Sequence, residues 1–251
     1  MKIRPITVER MNLCMNFFAV GDLHLSLDEK VKKPMEIFGF EWREHWKKLE
    51  IKWREKVGKE DTVLVLGDTS WALKLEEAIA DLKWIADLPG KKIMIKGNHD
   101  LWWQSIGKLN RLYKNMIFLQ GKAVLIDDTV ICGTRGWTCP GSEPFTEHDE
   151  KIYKRELLRL GFALEDAKKL KEKNPNAKNI IGCLHFPPTN DKYQPSGFTE
   201  KFEEAGVNKV FYGHLHGKEI FKKGFQGNLN GVSYRLVSLD YLDFDLYKIK
   251  I

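Results

Sequence analysis

No stretch of the chain approaches 18 consecutive apolar residues, so nothing in it reads as a bilayer-spanning helix. Cysteine is scarce: the four, at 14, 132, 139 and 183, form no C-x-x-C pair and lie too far apart in sequence for a disulfide framework. A reducing, cytoplasmic setting is the simplest compartment. Internal repeats and low-complexity tracts are absent, and the composition excludes disorder, collagen and coiled coil. Neither charge sign dominates: 41 Lys+Arg against 35 Asp+Glu give a net +6, which permits anionic partners without requiring one.

What is present suits a globular core. Of 251 residues, 43% are hydrophobic and 12% aromatic, and this length fits one large domain with insertions as well as two domains. Lys2, Arg4 and Arg10 precede an apolar-leaning run from Met11 to Val20, but Asn12 and Asn16 interrupt it and it lacks a small-residue cleavage site. It reads as a ragged start before a first strand. Met11 and Met15 can each serve as initiator, so residues 1–14 are expected to be a dispensable extension and 15–251 a single domain.

Strand-like and helix-like segments alternate early in the chain, which favours α/β architecture. Phe17–Val20, Thr62–Leu66 and Lys92–Ile95 are expected strands. Trp42, Trp46, Leu49, Trp53 and Val57 recur at helical spacing, as do Leu75, Ala78, Ile79, Leu82 and Ala86. Ile117–Leu119, Ala123–Ile126 and Val130–Cys132 read as short strands, with a turn at Asp127-Asp128. Lys151–Leu160 and Leu164–Lys173 are expected helices inside a cap-like insertion at 133–179; Lys168, Lys169, Lys171 and Lys173 read as a solvated face. Ile180–Leu184 and Val210–Tyr212 return to strand, and the alternation from Leu242 to Ile251 predicts an antiparallel strand beside Tyr234–Leu239.

Five apolar runs end in metal-ligand chemistry: Asp22-x-His24, Asp68, Asn98-His99, His185 and His214-x-His216. Functional groups in open α/β sheets collect outside the carboxyl ends of strands. Any one of these motifs is adequately explained as a turn or cap; five in succession are not. Two carboxylates, one amide oxygen and four imidazoles with no thiolate suit Mn, Fe, Zn or Co better than Ca. Seven donors exceed what one ion needs if it is also to keep water, and two ions sharing a carboxylate accommodate them. Such pairs sit about 3.5–4 Å apart and activate a bridging hydroxide for in-line displacement at phosphorus, so phosphoester hydrolysis is the expected chemistry.

In order, Gly21-Asp22-x-His24, Gly67-Asp68, Gly97-Asn98-His99-Asp100, His185 and Gly213-His214-x-His216 resemble the signature of the calcineurin-like metallophosphoesterase superfamily over residues 17–216. The resemblance implies an α/β fold, a two-sheet β-sandwich flanked by helices in four layers. It places Asp22, His24 and His216 on one metal and Asn98, His185 and His214 on the other, with Asp68 bridging. It also makes His99 the residue that contacts phosphate and protonates the leaving oxygen, a task that suits an imidazole. Two departures stand out. Trp71 occupies the place where many relatives carry Asp or Asn to orient that histidine, leaving Asp100 as a substitute. The chain reads Gly-Asp-Thr-Ser-Trp where the protein Ser/Thr phosphatase branch continues the motif with Asp-Arg-Gly, which disfavours a phosphoprotein substrate.

Around the site, Trp102 or Trp103 is expected either to stack on a substrate ring or to join the core. Arg135 is a candidate phosphate grip and Trp137 a candidate pocket wall, against a loop salt bridge as the plain alternative. His148-Asp149-Glu150 is read as a helix cap at Asp149, and His45 as buried at a helix edge or solvated. The leading expectation is a dinuclear-metal hydrolase of small-molecule phosphomonoesters or phosphodiesters, loaded with manganese foremost and with iron, zinc or cobalt as alternatives. A nuclease, motivated by the net charge and basic helix, and a non-catalytic metal-binding protein on the same scaffold are the competing readings. No membrane or protein partner is inferred.

Overall fold

The computed structural model describes residues 15–251; the expectation of a dispensable extension at 1–14 lies outside them. Among the described residues, eleven strands form two sheets. They are β1 (Phe17–Val20), β2 (Thr62–Leu66), β3 (Lys91–Ile95), β4 (Met116–Leu119), β5 (Lys122–Ile126), β6 (Thr129–Gly133), β7 (Asn179–Cys183), β8 (Lys209–Tyr212), β9 (Gly227–Leu229), β10 (Val232–Leu236) and β11 (Tyr247–Ile249). The first sheet has the order β11-β1-β2-β3-β4 and the second β5-β6-β7-β8-β10-β9. The helices are α1 (His45–Lys56), α2 (Leu75–Asp87), α3 (Ile106–Leu109), α4 (Glu147–Lys173), α5 (Gly197–Glu204) and α6 (Lys218–Phe221).

Strand periodicity explains the layering. Successive strand residues point to opposite faces, and in β1 both faces are apolar: Phe17 and Ala19 join the core between the sheets, while Phe18 and Val20 join the core beneath α1 and α2. The same split separates Leu64 and Leu66 from Val63 and Val65 in β2. On the second sheet, Val130 and Val210 pack outward with Leu160, Ala163 and Ala167 of α4, and Ile131 and Phe211 pack inward. The result is helix, sheet, sheet, helix, the four layers expected. Strands β1, β2 and β3 run parallel, as do β6, β7 and β8, so their carboxyl ends gather at one edge of the sandwich.

Three expectations are corrected. The segment 133–179 is mainly α4, a single 27-residue helix layered on the second sheet, and not two helices in a cap. Its N-cap is Thr146, whose side chain accepts from the Asp149 backbone N–H while Asp149 accepts in return, so Asp149 completes the cap from inside the helix. The C-terminal strand β11 pairs antiparallel with β1, placing Phe17 opposite Ile249, whereas β10 pairs with β8 and β9. Apolar alternation sets which face is buried and carries no information about the neighbour. Trp102 and Trp103 are core residues packed against Phe118 and not substrate platforms.

Trp102→Ala is therefore expected to lower the unfolding free energy by about 3–5 kcal/mol. Ile51→Ala, on the exposed face of α1, should stay within about 0.5 kcal/mol. Denaturant titration of the two variants measures both; a Trp102 effect as small as that of Ile51 would contradict the core assignment.

Candidate metal centre

Each sequence motif begins where a parallel strand stops, and the chain turns sharply there. Asp22, His24, Asp68 and His214 all have positive φ, between 44° and 74°. Non-glycine residues adopt this conformation only where the surroundings over-determine it. Here cross-strand bonds do so: Asp22 N–H donates to the Gly67 carbonyl at 2.9 Å, His24 N–H to the Asp68 carbonyl at 2.9 Å, and Gly213 N–H to the His185 carbonyl at 3.0 Å. Two glycines leave the carboxylates their space. A Cβ on Gly97 would lie 2.1 Å from Asp68 Oδ1, and one on Gly213 would lie 2.3 Å from Asp22 Oδ2.

The strand ends bring six of the seven expected ligands into two three-donor groups, Asp22 with His24 and His216, and Asp68 with His185 and His214. Donor atoms within each group lie within 4.8 Å of one another. Asn98 Oδ1 joins the second group, 2.8 Å from His185 Nε2. Asp68 Oδ2 lies 3.4 Å from His185 Nε2 and 4.0 Å from His24 Nε2, standing between the groups. Imidazole nitrogens converge in pairs, His24 Nε2 on His216 Nε2 at 3.1 Å and His214 Nδ1 on His185 Nε2 at 3.2 Å. Facing lone pairs repel unless a proton or a metal ion lies between them, and this donor set fits two divalent transition-metal ions.

The electrostatics agree with that arrangement. Burial opposes charge on His185, but Asp68 and Asp22 outweigh it and raise its pKa to about 9. His216 is likewise opposed by burial yet raised to about 10 by Asp22 and Asp240. Burial holds His24 and His214 neutral, each at about 3. Burial also raises Asp22 and Asp68, but histidine contacts leave both below the usual carboxylate range. The side chains by themselves thus hold protons where cations belong.

Several supporting contacts escape a sequence reading. Asp240 Oδ1 lies 3.1 Å from His216 Nδ1 and fixes the ring with Nε2 toward the ligand group. The Leu66 carbonyl does the same for His185 Nδ1 at 2.9 Å. His45 is buried, its Nε2 2.8 Å from the Leu23 carbonyl, and ties α1 to the loop carrying Asp22 and His24. A carboxylate one residue past His214-x-His216 would have been visible in sequence; Asp240 lies 24 residues on and arrives through the β9–β10 excursion.

The remaining candidates divide. His99 is exposed beside the ligands, its ring 4.5 Å from Trp71 and its backbone N–H donating to Asp68 Oδ1 at 2.7 Å. Asp100 does not hold it: that buried carboxylate accepts from the N–H groups of Gly97, Thr69 and Ser70 and from Trp102 Nε1, joining the β2 and β3 loops. Trp71, the departure from the resembled pattern, stacks on His24 at 4.7 Å and contacts His99, occupying the place of a polar orienter with a flat wall. Arg135 faces buried Glu156 at 3.5 Å and lies over Trp137, while Trp137 Nε1 donates to Asp149. These contacts hold both side chains, and neither lines the cavity beside the ligands. Trp137 reaches the site indirectly, packing on Phe186, which packs on His214.

Two predictions follow from this geometry. The raised values of His185 and His216 lie above the ordinary 6.5, so the stabilisation from their carboxylate contacts is complete below pH 6.5 and is lost as pH rises through about 9 and about 10. Ligation requires neutral imidazole, so loading metal at pH 7 is expected to release about two protons per chain. Calorimetry in buffers of different ionisation enthalpy reads this directly, and pH-independent binding without proton release would contradict it. Asp240→Asn is expected to weaken metal affinity about 10–100-fold in a competition titration with a chelator; unchanged affinity would remove Asp240 from the centre.

A family model described as calcineurin-like phosphoesterase matches residues 15–218. Gene 66 protein of Mycobacterium phage D29 is 35% identical over 105 residues, covering 41% of this chain and 50% of that protein. Gene 66 protein of Mycobacterium phage L5 is 40% identical over 87 residues, covering 34% and 40%. The chain thus spans half or less of the length of these relatives. Among solved structures, the phosphopantetheinyl hydrolase PptH from Mycobacterium tuberculosis is similar in fold, with a TM-score of 0.52, 13% identity, and coverage of 93% of this chain and 95% of that one. With its matching signature and its two groups of metal-ligand side chains, this chain belongs to the calcineurin-like phosphoesterase family.

Proposed function

We propose that the enzyme hydrolyses small phosphodiesters in preference to monoesters, with manganese as the ion best matched to its oxygen and nitrogen donors and iron, zinc or cobalt as substitutes. The observation that carries this reading is the pair of three-donor groups around Asp68, opening with exposed His99 onto one cavity. Asp22, His24 and His216 would hold one ion, Asn98, His185 and His214 the other, with Asp68 shared between them. When bound, the ions supply an activated water and Lewis-acid stabilisation of the phosphoryl oxygens.

The protein's own part is positioning and proton delivery. The strained strand ends fix the donors before substrate arrives. His99, its ring set by Trp71, gives its proton to the leaving alcohol oxygen as the P–O bond breaks. The preference for a diester rests on charge. A monoester at neutral pH carries close to two negative charges, and Arg135, the side chain suited to grip it, faces Glu156 and Trp137 instead. Among the described residues, neither lysine nor arginine lines the cavity.

The nuclease reading finds little support, because Lys168 and Lys171 share their groove with Glu165, Glu172 and Glu204 in place of a uniformly basic surface. A non-catalytic role would be expected to show lost ligands, and all seven are present.

Manganese-reloaded protein is expected to hydrolyse a chromogenic diester with kcat/KM at least about tenfold above the matching monoester. His99→Asn should lower kcat by about 10²-fold or more with metal content unchanged, and Asp68→Asn should remove activity. Monoester preference would overturn the diester assignment, and turnover of neither ester would overturn the reading as a whole.

A further inference from the structure

The cavity beside the ligands has a volume of about 290 Å³; next to the ligand side chains its lining holds Met35, Phe38, Trp42 and Trp71, with Glu41 the one charged residue between Phe38 and Trp42. The two indoles are fixed. Trp42 packs edge-on against His24, His216 and Phe244, while Trp71 stacks on His24 and donates its Nε1–H to Met35 Sδ at 3.1 Å. An apolar wall built onto the metal ligands themselves serves neither water nor a bare phosphate.

The lip of the cavity continues this character. Met35–Phe38 and Phe40–Trp42 are short 3-10 turns ahead of α1. Ile37, Phe38 and Phe40 on them are 74%, 60% and 77% exposed. Single exposed apolar residues need no explanation, but three within four positions, with Phe38 among them lining the cavity, are a cluster of the kind that marks a binding site.

We infer that this pocket receives an apolar ester group, so that the substrate is a phosphoester bearing an aryl ring or an alkyl chain on the face bounded by Met35, Phe38, Trp42 and Trp71. The volume sets its size. A cavity of roughly 150 Å³ accommodates benzene; twice that, shared with the phosphoryl group, leaves room for one ring or about six carbons, and a longer chain runs out over Ile37 and Phe40. The inference rests on the hydrolase reading and specifies the substrate class of that same site.

The test uses monoanionic alkyl methylphosphonates, from methyl through hexyl to dodecyl, titrated below their aggregation concentrations into the manganese-loaded 251-residue chain by calorimetry. Full burial of a methylene corresponds to about a fourfold change in affinity, so two- to fourfold tightening per carbon is expected from methyl to hexyl. Phe38→Ala should reduce the increment below about 1.5-fold per carbon; Phe38 is largely exposed, so this variant is expected to fold. A plateau at hexyl would support the inference for a small soluble ester, and continued gain to dodecyl would support it for a lipid-like amphiphile. Affinity that is flat or falls with chain length in the wild type overturns the inference, as does an unchanged increment in Phe38→Ala. Failure of even the methyl compound to bind the loaded protein would count instead against the hydrolase reading.

Discussion

Asp22 and Asp68 are buried carboxylates whose ion-pair partners among the described residues are all histidines, with no lysine or arginine. A carboxylate removed from water without a compensating cation is costly enough to unfold a domain of ordinary stability. Much of the surrounding architecture answers this requirement. Four imidazoles converge on the pair, two of them holding protons well above their ordinary range. The loops turn through left-handed conformations to aim these groups inward, and glycines at 97 and 213 leave the oxygens space. Two divalent cations would satisfy the same requirement, and the candidate metal groups stand where the charge has to be balanced.

The two sheets divide the work. The first supplies Asp22, His24, Asp68 and Asn98 from the ends of three adjacent parallel strands, and the second supplies His185, His214 and His216 from two. The shared edge is stitched by backbone bonds such as Gly21 N–H to the Val237 carbonyl and Val237 N–H to the Tyr212 carbonyl. The segment after β10 therefore links the sheets at the point where the ligands meet, and it also delivers Asp240 to His216. Stability of this seam and geometry of the site are one property, so variants at the seam act on both.

Much of this was legible in the sequence because it is local. A β-branched or apolar run ending in Gly-Asp or Gly-Asn-His announces a strand and a polar side chain at its end, and the family resemblance names the six carboxylate and imidazole donors that the fold gathers into two groups. What stayed hidden is non-local. Nothing near Tyr247–Ile249 indicates that its partner is β1, more than 200 residues earlier. Asp240 is an unremarkable acid until the fold places it on His216. Trp71 looked like the loss of a polar orienter, whereas its packing on His24 and His99 makes it a wall. Arg135 and Trp102 carry the residue types of recognition but serve packing, Arg135 with Glu156 and Trp102 with Phe118 and Asp100. Side-chain chemistry alone does not distinguish these uses; burial and partners do.

The central claim is that the strand ends build one site for two ions around Asp68. Anomalous diffraction from crystals soaked in manganese addresses it most directly. The account predicts two peaks about 3.5–4 Å apart, one within ligand distance of Asp22, His24 and His216, the other of Asn98, His185 and His214, both touching Asp68. A single peak, or two that do not share Asp68, would contradict it.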